Sequence, residues 1–101
     1  MVSPFTKKVI EILKRIPSGK IATYGQIAAL SGNPRAARQI VRILHIYSEK
    51  ENLPWHRVVN RFGQISLKDP HDKIQKHLLM NEGVKFDSTD SIDFDAYLWK
   101  P

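Results

Sequence analysis

The chain has 101 residues, 42% of them hydrophobic, and this length predicts a single domain over residues 1–101 with one modest core. It contains no cysteine, which excludes disulfides, thiolate metal sites and a thiol nucleophile. The net charge of +6 is uneven, because residues 1–86 carry +9 and residues 87–101 carry −3, so the body favours a polyanionic partner such as nucleic acid.

Two short amphipathic helices are predicted in the first third of the chain. Ser3, followed by Pro4, is a favourable helix start, and apolar residues then recur at helical spacing until Pro17 ends the run. Thr23, with Gln26 three residues later, predicts a capping box at the start of a second helix, which ends at residues 31–32. Both helices are expected to form scaffold.

A third helix is predicted from Asn33, as its cap, through Pro34 to about Tyr47. Its core-facing side is expected to comprise four apolar residues, Ala37, Ile40, Val41 and Leu44. The opposite side carries a row of cations, called the basic stripe from here on: Arg35, Arg38, Arg42 and His45. The short turn before this helix predicts a helix-turn-helix, whose second helix presents side chains to DNA. Charge runs are usually solvated surface, but their coincidence with this motif favours DNA binding.

The second half of the chain is predicted to hold a wing and one more helix. Residues 54–59 and 64–66, joined by a turn, predict a small β-hairpin. A fourth helix begins at Asp69-Pro70 and ends at Gly83, with three inward-facing residues, Ile74, Leu78 and Leu79. The tail, residues 87–101, is acidic but rich in aromatic residues, so we expect it to dock on the core. The predicted fold is mainly α, a winged helix-turn-helix with a small β-hairpin.

Few side chains suggest chemistry. Trp55 precedes an apolar strand, where a lone tryptophan is more often core, although in a pocket its face could stack on an extruded base. His56 and Glu82 could form the histidine–carboxylate pair of general-base catalysis, but without a nucleophile to activate, a structural histidine is the better interpretation. Tyr24 fits either a packing ring or a phosphate contact. The four histidines show no ligand spacing, so no metal and no cofactor are predicted.

Three segments together carry a resemblance to a known family: residues 21–28 (IATYGQIA), 32–38 (GNPRAAR) and 54–59 (PWHRVV). They resemble the DNA-binding domain of the O6-alkylguanine-DNA alkyltransferases, whose Pro-Cys-His-Arg motif carries the cysteine that accepts the alkyl group. Trp55 stands at the cysteine position, while His56 and Glu82 match the rest of the enzymes' activating relay. Because indole is a poor nucleophile at neutral pH, no catalytic residue is predicted, and the chain resembles the alkyltransferase-like proteins.

This resemblance implies a non-enzymatic protein that binds O6-alkylguanine in double-stranded DNA. It implies minor-groove insertion of the helix-turn-helix, extrusion of the damaged nucleotide and no alkyl transfer. It also implies that the bound protein blocks alkyltransferase access and flags the lesion for nucleotide excision repair, whose proteins would be its partners. Tyr47 and the loop of residues 67–69 depart from the enzymes, which leaves the preferred alkyl size open.

The resemblance further assigns roles to individual residues. Arg38 matches an arginine finger that fills the gap left by the extruded nucleotide, and Tyr24 matches a tyrosine that rotates the 3′ phosphate. Trp55 and Val58 are implied to line the lesion pocket, with Lys68 over the base. The remaining implied contacts lie at the groove: Arg35, Ala36, Ala37 and Gln39.

Two other functions stay open on the sequence. With His56 acting as a base toward water, the chain would be a repair enzyme; without lesion preference, it would be a sequence-specific winged-helix regulator. Such a regulator is expected to be a dimer, whereas this sequence shows no evident dimerisation helix and predicts a monomer. No stretch resembles a signal peptide or membrane span, so we expect no membrane partner, and a location in the cytoplasm of a bacterium, at the nucleoid, or in a eukaryotic nucleus.

Overall fold

The computed structural model describes residues 2–101, in which helices pack around a sheet of two short strands. The helices are α1 (Pro4–Leu13), α2 (Tyr24–Leu30), α3 (Ala37–Tyr47), α4 (His71–Asn81) and α5 (Phe94–Tyr97). The strands are β1 (Ala22–Thr23) and β2 (Val58–Val59), and a 3₁₀ turn, Trp55–Arg57, leads into β2. The predicted mainly α class is confirmed. Within residues 2–101, no helix is long and apolar enough to cross a membrane.

The start of α1 follows its sequence signals. The Ser3 hydroxyl accepts the Thr6 N–H at 3.1 Å, and Pro4 is the first helical residue, as predicted. The helix ends at Leu13 instead of continuing to Pro17, because the Arg15 and Ile16 N–H groups bond to carbonyls three residues back, those of Ile12 and Leu13, and tighten the last turn.

The predicted capping box at the start of α2 is confirmed. The Thr23 hydroxyl accepts the Gln26 N–H at 3.0 Å, and Gln26 Oε1 accepts the Thr23 N–H at 3.3 Å. The helix ends as predicted at residues 31–32, where Gly32 adopts φ +98° and its N–H bonds to a carbonyl of the last turn. Local chemistry therefore fixes both ends of the helix that carries Tyr24.

The predicted start of the third helix is wrong, since α3 begins at Ala37 rather than at Asn33-Pro34. The Asn33 carbonyl accepts the Ala36 N–H at 3.0 Å, and the Asn33 side chain accepts the Arg35 N–H at 3.2 Å. These bonds make a turn of the residues that were expected to cap and open the helix. Residues 31–36 thus join α2 to α3.

Two predicted helix faces are also partly wrong. On α3, Val41 is exposed and Ile43 is buried. On α4, Ile74 is 45% exposed, whereas Gln75 is only 1% exposed. Leu79 of the same helix is fully buried, as predicted. In both helices, the face that contacts the core is rotated by one or two residue positions from the predicted apolar face.

The predicted β-hairpin is wrong. β2 pairs in parallel with β1, with Ala22 opposite Val58 and Thr23 opposite Val59. Residues 64–66, expected to form the second strand of the hairpin, form none. Both residues of β2 are buried, so the segment lacks the apolar–polar alternation of a surface hairpin and instead has the continuous apolar pattern of a covered parallel strand.

The sheet separates two buried clusters. Ala22 and Val58 join residues of α1, α2 and α3 in the larger cluster, whereas Val59 joins Leu79 of α4 and Ile92 of the tail in the smaller one. Successive residues of a strand point to opposite faces, which explains why the two residues of β2 belong to different clusters. The tail thus covers part of one face of the sheet.

Candidate nucleic-acid interface

The basic stripe lies on the exposed side of α3 and in the turn before it. Arg38 is the second residue of the helix, Arg35 precedes it, and both side chains are exposed. Within residues 2–101, no salt bridge involves Arg35, Arg38 or Arg42. Buried Ile40 on the opposite side anchors the helix. An exposed row of cations on the second helix of a helix-turn-helix is suited to a phosphate backbone.

Tyr24, the first residue of α2, combines packing with a polar group. Its ring is half-buried and packs against the larger cluster. Burial raises the pKa of the Tyr24 phenol above its ordinary value, and the nearby Ser66 side chain opposes this rise. The phenol therefore stays protonated at neutral pH and can donate a hydrogen bond to a phosphate oxygen.

Trp55 is held in place by neighbours from two elements. Its half-buried ring packs against the larger cluster and meets the rings of His56 and His71 edge-on, with centroids 6.1 and 6.5 Å away. The buried Gln75 Nε2 donates to the carbonyls of His56 and Val58 at 3.0 and 2.9 Å, which fixes this segment to α4. Gln75 was not among the predicted site residues, because a glutamine in a helix gives no sign of burial.

A partly buried ionic group, called the Glu82 cluster below, joins the 3₁₀ turn to the rest of the fold. Glu82 Oε2 lies 2.7 Å from His56 Nε2, and Arg57 donates from Nε and Nη2 to Glu82 at 2.8 to 3.1 Å. The Gly19 N–H also donates to Glu82 at 2.9 Å, and Arg57 Nη1 donates to the Ile16 carbonyl at 2.9 Å. The three side chains are only 14 to 18% exposed.

The Glu82 carboxylate is strongly stabilised in its ionised form. Burial opposes its ionisation, but hydrogen bonds from Arg57, the Gly19 N–H and His56 outweigh burial and lower its pKa to about 2. Its oxygens are occupied by these donors at neutral pH. Because the chain has no cysteine, the cluster can orient His56 and support Trp55 but has no thiol to activate.

The other predicted site residues fall into two environments. Gln39 and Lys68 are exposed and Ala37 is partly exposed. Ala36 and Val58, however, are 6% and 1% exposed and belong to the larger cluster. In this structure Val58 faces the core instead of an open pocket, and Ala36 can approach a groove only with its backbone.

A polar hollow beside Trp55 does not bring the predicted lesion contacts together. It is lined by Lys14, Asn52, Leu53, Pro54, Trp55, His56 and Arg57. Neither Tyr24 nor Lys68 borders it. What Tyr24 and Trp55 do share is the larger cluster, against which both rings pack.

Arg61 is a cation that the sequence analysis did not assign to the site. Because β1 and β2 are parallel and in register, their carboxyl ends lie at the same edge of the sheet, where Tyr24 directly follows β1 and Arg61 comes two residues after the end of β2. The Asn60 side chain accepts two N–H groups of this loop at 2.9 and 3.0 Å, and the Arg61 guanidinium lies 4.7 Å from the centroid of the exposed Phe62 ring. Only the parallel pairing, which the hairpin prediction lacked, reveals this proximity.

Known proteins are similar to this chain in both sequence and fold. Residues 4–84 match the family described as "6-O-methylguanine DNA methyltransferase, DNA binding domain". The chain is 45% identical over 95 residues to the DNA base-flipping protein of Escherichia coli, covering 94% of this chain and 74% of that protein. It is 37% identical over 103 residues to alkyltransferase-like protein 1 of Schizosaccharomyces pombe, covering 96% of this chain and 95% of that protein.

A solved structure of the same fold contains DNA. It is S. pombe Atl1 in complex with damaged DNA containing O6-carboxymethylguanine, with a TM-score of 0.84, 37% identity, and coverage of 96% of this chain and 95% of that one. The family match includes α1 to α4, the basic stripe and the Trp55 segment, and it leaves the tail outside. The chain therefore belongs to the alkyltransferase-like family, built on the DNA-binding domain of the 6-O-methylguanine DNA methyltransferases.

Proposed function

We propose that this protein binds O6-alkylguanine in double-stranded DNA and extrudes the damaged nucleotide without transferring its alkyl group. The observation that carries the proposal is that Trp55 stands beside an intact pair of His56 and Glu82. The side chains of this pair lie 2.7 Å apart, yet the chain has no cysteine. Indole does not replace a thiolate as a nucleophile at neutral pH. Recognition of the lesion is thereby separated from its repair.

The mode of binding follows from the exposed groups. The basic stripe contacts the phosphate backbone, and Arg38, at the start of α3, enters the duplex where the nucleotide leaves it. Extrusion costs a few kcal/mol, least for a weakly paired damaged base, and this asymmetry gives selectivity without a reaction. Tyr24 donates to a phosphate, and Arg61, at the same edge of the sheet, adds a further backbone contact.

The relatives support this proposal through what they are known to be. One is named a DNA base-flipping protein, and another was solved with damaged DNA containing O6-carboxymethylguanine. A monomer that holds an extruded base without reacting would keep an alkyltransferase away from that base. We propose that the resulting persistent complex, wherever the cell keeps its DNA, flags the lesion for nucleotide excision repair proteins.

The first test compares two duplexes that differ at one base, O6-methylguanine or guanine, over a series of salt concentrations. We expect tighter binding of the damaged duplex at every concentration, with similar salt slopes because the phosphate contacts are shared. Equal affinities throughout the series would contradict lesion recognition and favour a general DNA-binding protein.

The second test separates binding from reaction. After incubation with the damaged duplex, we expect an unchanged intact mass of the protein and full recovery of the O6-methylguanine strand. A protein heavier by one methyl group would show alkyl transfer, and loss of the lesion with unchanged protein mass would show hydrolysis. Either result would show that the chain is a repair enzyme.

A further inference from the structure

The tail contacts the base of the helix that carries Tyr24. After α5, Leu98 forms a parallel bridge with Ile21, the residue before β1. The Ile21 N–H donates to the Tyr97 carbonyl at 2.9 Å, and the Trp99 N–H donates to the Ile21 carbonyl at 2.7 Å. The end of the tail therefore extends the sheet on the side of β1 that β2 leaves free, directly before α2 begins.

Gln26 connects this tail to the capping box. Its Oε1 accepts the Thr23 N–H at 3.3 Å, and its Nε2 donates to the Trp99 carbonyl at 2.7 Å. One amide thus joins the first turn of α2, in which Tyr24 is the first residue, to the end of the tail. The capping box needs only the acceptor oxygen of this side chain, so the donated bond is an additional constraint.

The Trp99 side chain reinforces the same contact. It is 8% exposed and belongs to the larger cluster, against which the Tyr24 ring also packs. The backbone of Trp99, through Gln26, and its side chain, through the larger cluster, therefore both support the start of α2. The tail lies outside the family match over residues 4–84, so this support is an addition to the shared DNA-binding domain.

We infer that Gln26 and Trp99 are positioning residues that hold Tyr24 in the orientation required for extrusion of the damaged nucleotide. They touch neither DNA nor lesion and act only through the start of α2. The inference rests on the proposed function, because it concerns how Tyr24 acts when the damaged nucleotide is extruded. It assigns the tail a part in lesion recognition in addition to covering the core.

The test is a double-mutant cycle on the full chain, measured as the ratio of affinities for the O6-methylguanine and guanine duplexes. Gln26→Met keeps the length of the side chain but removes both hydrogen bonds, and we expect it to lower this ratio about fivefold. In a Tyr24→Ala background the same change should alter the ratio by less than about twofold, because the residue being positioned is absent.

Two further variants make the result specific. Gln26→Glu keeps the acceptor for Thr23 but loses the donor to Trp99, and its added charge weakens both duplexes alike, so we expect the same fall in the ratio. Ser91→Ala removes a different contact of the tail, the 2.9 Å bond from Gln64 Nε2, and should leave the ratio unchanged. Circular dichroism verifies the fold of each variant, and Gln26→Glu decides the question if Gln26→Met does not fold.

The outcomes are distinguishable. An unchanged ratio in a folded Gln26 variant, or an equal loss with and without Tyr24, would overturn the inference and leave the tail as core packing alone. A wild-type protein with no preference for the damaged duplex would instead overturn the proposed function, before any variant is considered. A loss confined to the chain that has Tyr24 would support both.

Discussion

The basic stripe and the Glu82 cluster use the same residue type in opposite ways. Arg38 is exposed and forms no salt bridge within residues 2–101, whereas Arg57 is 18% exposed and bonded to Glu82 and to the Ile16 carbonyl. An exposed cation without a partner keeps its charge available to a polyanion. A largely buried cation whose three guanidinium nitrogens all donate within the protein contributes to the fold and has less to offer a ligand.

This difference predicts which measurements respond to a change in each region. The resemblance matches His56 and Glu82 to the activating relay of the alkyltransferases, and in this structure the cluster ties the Trp55 segment to Ile16 and Gly19, which follow α1, and to the end of α4. The stripe faces outward and depends on nothing in the cluster except the shared scaffold. Substitutions in the two regions should therefore change different measurements, stability for the cluster and DNA binding for the stripe.

The largest effect is expected from Glu82→Gln, which keeps the shape of the side chain but leaves Arg57 without a counter-charge and His56 without its carboxylate partner. Removing one partner of a buried ion pair costs about 3 kcal/mol, so we expect the free energy of unfolding in urea to fall by about that amount.

Glu51→Gln is the matched control for this change. Glu51 also pairs with a cation, Lys14, at 3.1 Å, but these side chains are 36 and 49% exposed. An exposed pair contributes less than about 1 kcal/mol. If the two variants lost equal stability, the Glu82 cluster would be no more than surface electrostatics.

The second expected effect is a loss of stability at acidic pH, which the Glu82 carboxylate causes. Its pKa is lowered from 4.5 to about 2, so the stability it provides is complete above pH 4.5 and is lost as the pH falls towards 2. The wild type should lose up to about 3 kcal/mol through this group. Urea unfolding at a series of acidic pH values should show the difference between wild type and Glu82→Gln shrinking over this range. A constant difference would mean that Glu82 is not ionised in the folded protein.

Features that depend on neighbouring residues were predictable from the sequence. The Ser3 cap, the Thr23 capping box and the glycine at the end of α2 are each set by side chains within a few positions, and all three are present. The start of α3 was not predictable in the same way. Asn33-Pro34 suits a turn as well as a helix cap, and only the packing of residues 31–36 selects the turn.

Features that depend on distant residues were not predictable. The parallel pairing of β1 and β2 joins segments 36 positions apart in a register of two residues each, and a run such as Val58-Val59 fits a hairpin equally well. The buried Gln75 Nε2 donates to carbonyls of the segment that precedes and enters β2, while Gln75 Oε1 has no hydrogen-bond partner among the described residues. No helical periodicity reveals these contacts.

The candidate site shows the same division. Resemblance assigned roles to Tyr24, Arg38 and Trp55, because these stand in recognisable motifs, and these roles stay predictions. It placed Val58 in a pocket although the core covers it, and Arg61 was missed because its position beside the Tyr24 edge depends on the sheet. Motifs therefore predicted the residue types of the site, and the fold shows which of these residues are exposed.

The third effect compares two arginines within the basic stripe. Arg38→Ala should weaken binding of the O6-methylguanine duplex about 30-fold, because it removes the group that fills the gap left by the extruded base. Arg42→Ala, one turn further along α3, removes the same charge from the same face. It should weaken both duplexes equally, by about threefold, as expected for loss of one phosphate contact.

The affinities for the two duplexes decide whether Arg38 acts as an arginine finger or as a phosphate contact. A finger makes a contact that exists only when the nucleotide is extruded, so its loss falls on the damaged duplex and lowers the affinity ratio. A phosphate contact exists in both complexes, so its loss changes affinity and salt slope but not the ratio. Equal behaviour of the two variants would make α3 a uniform cationic surface, and lesion selectivity would then have to come from Tyr24 and Trp55.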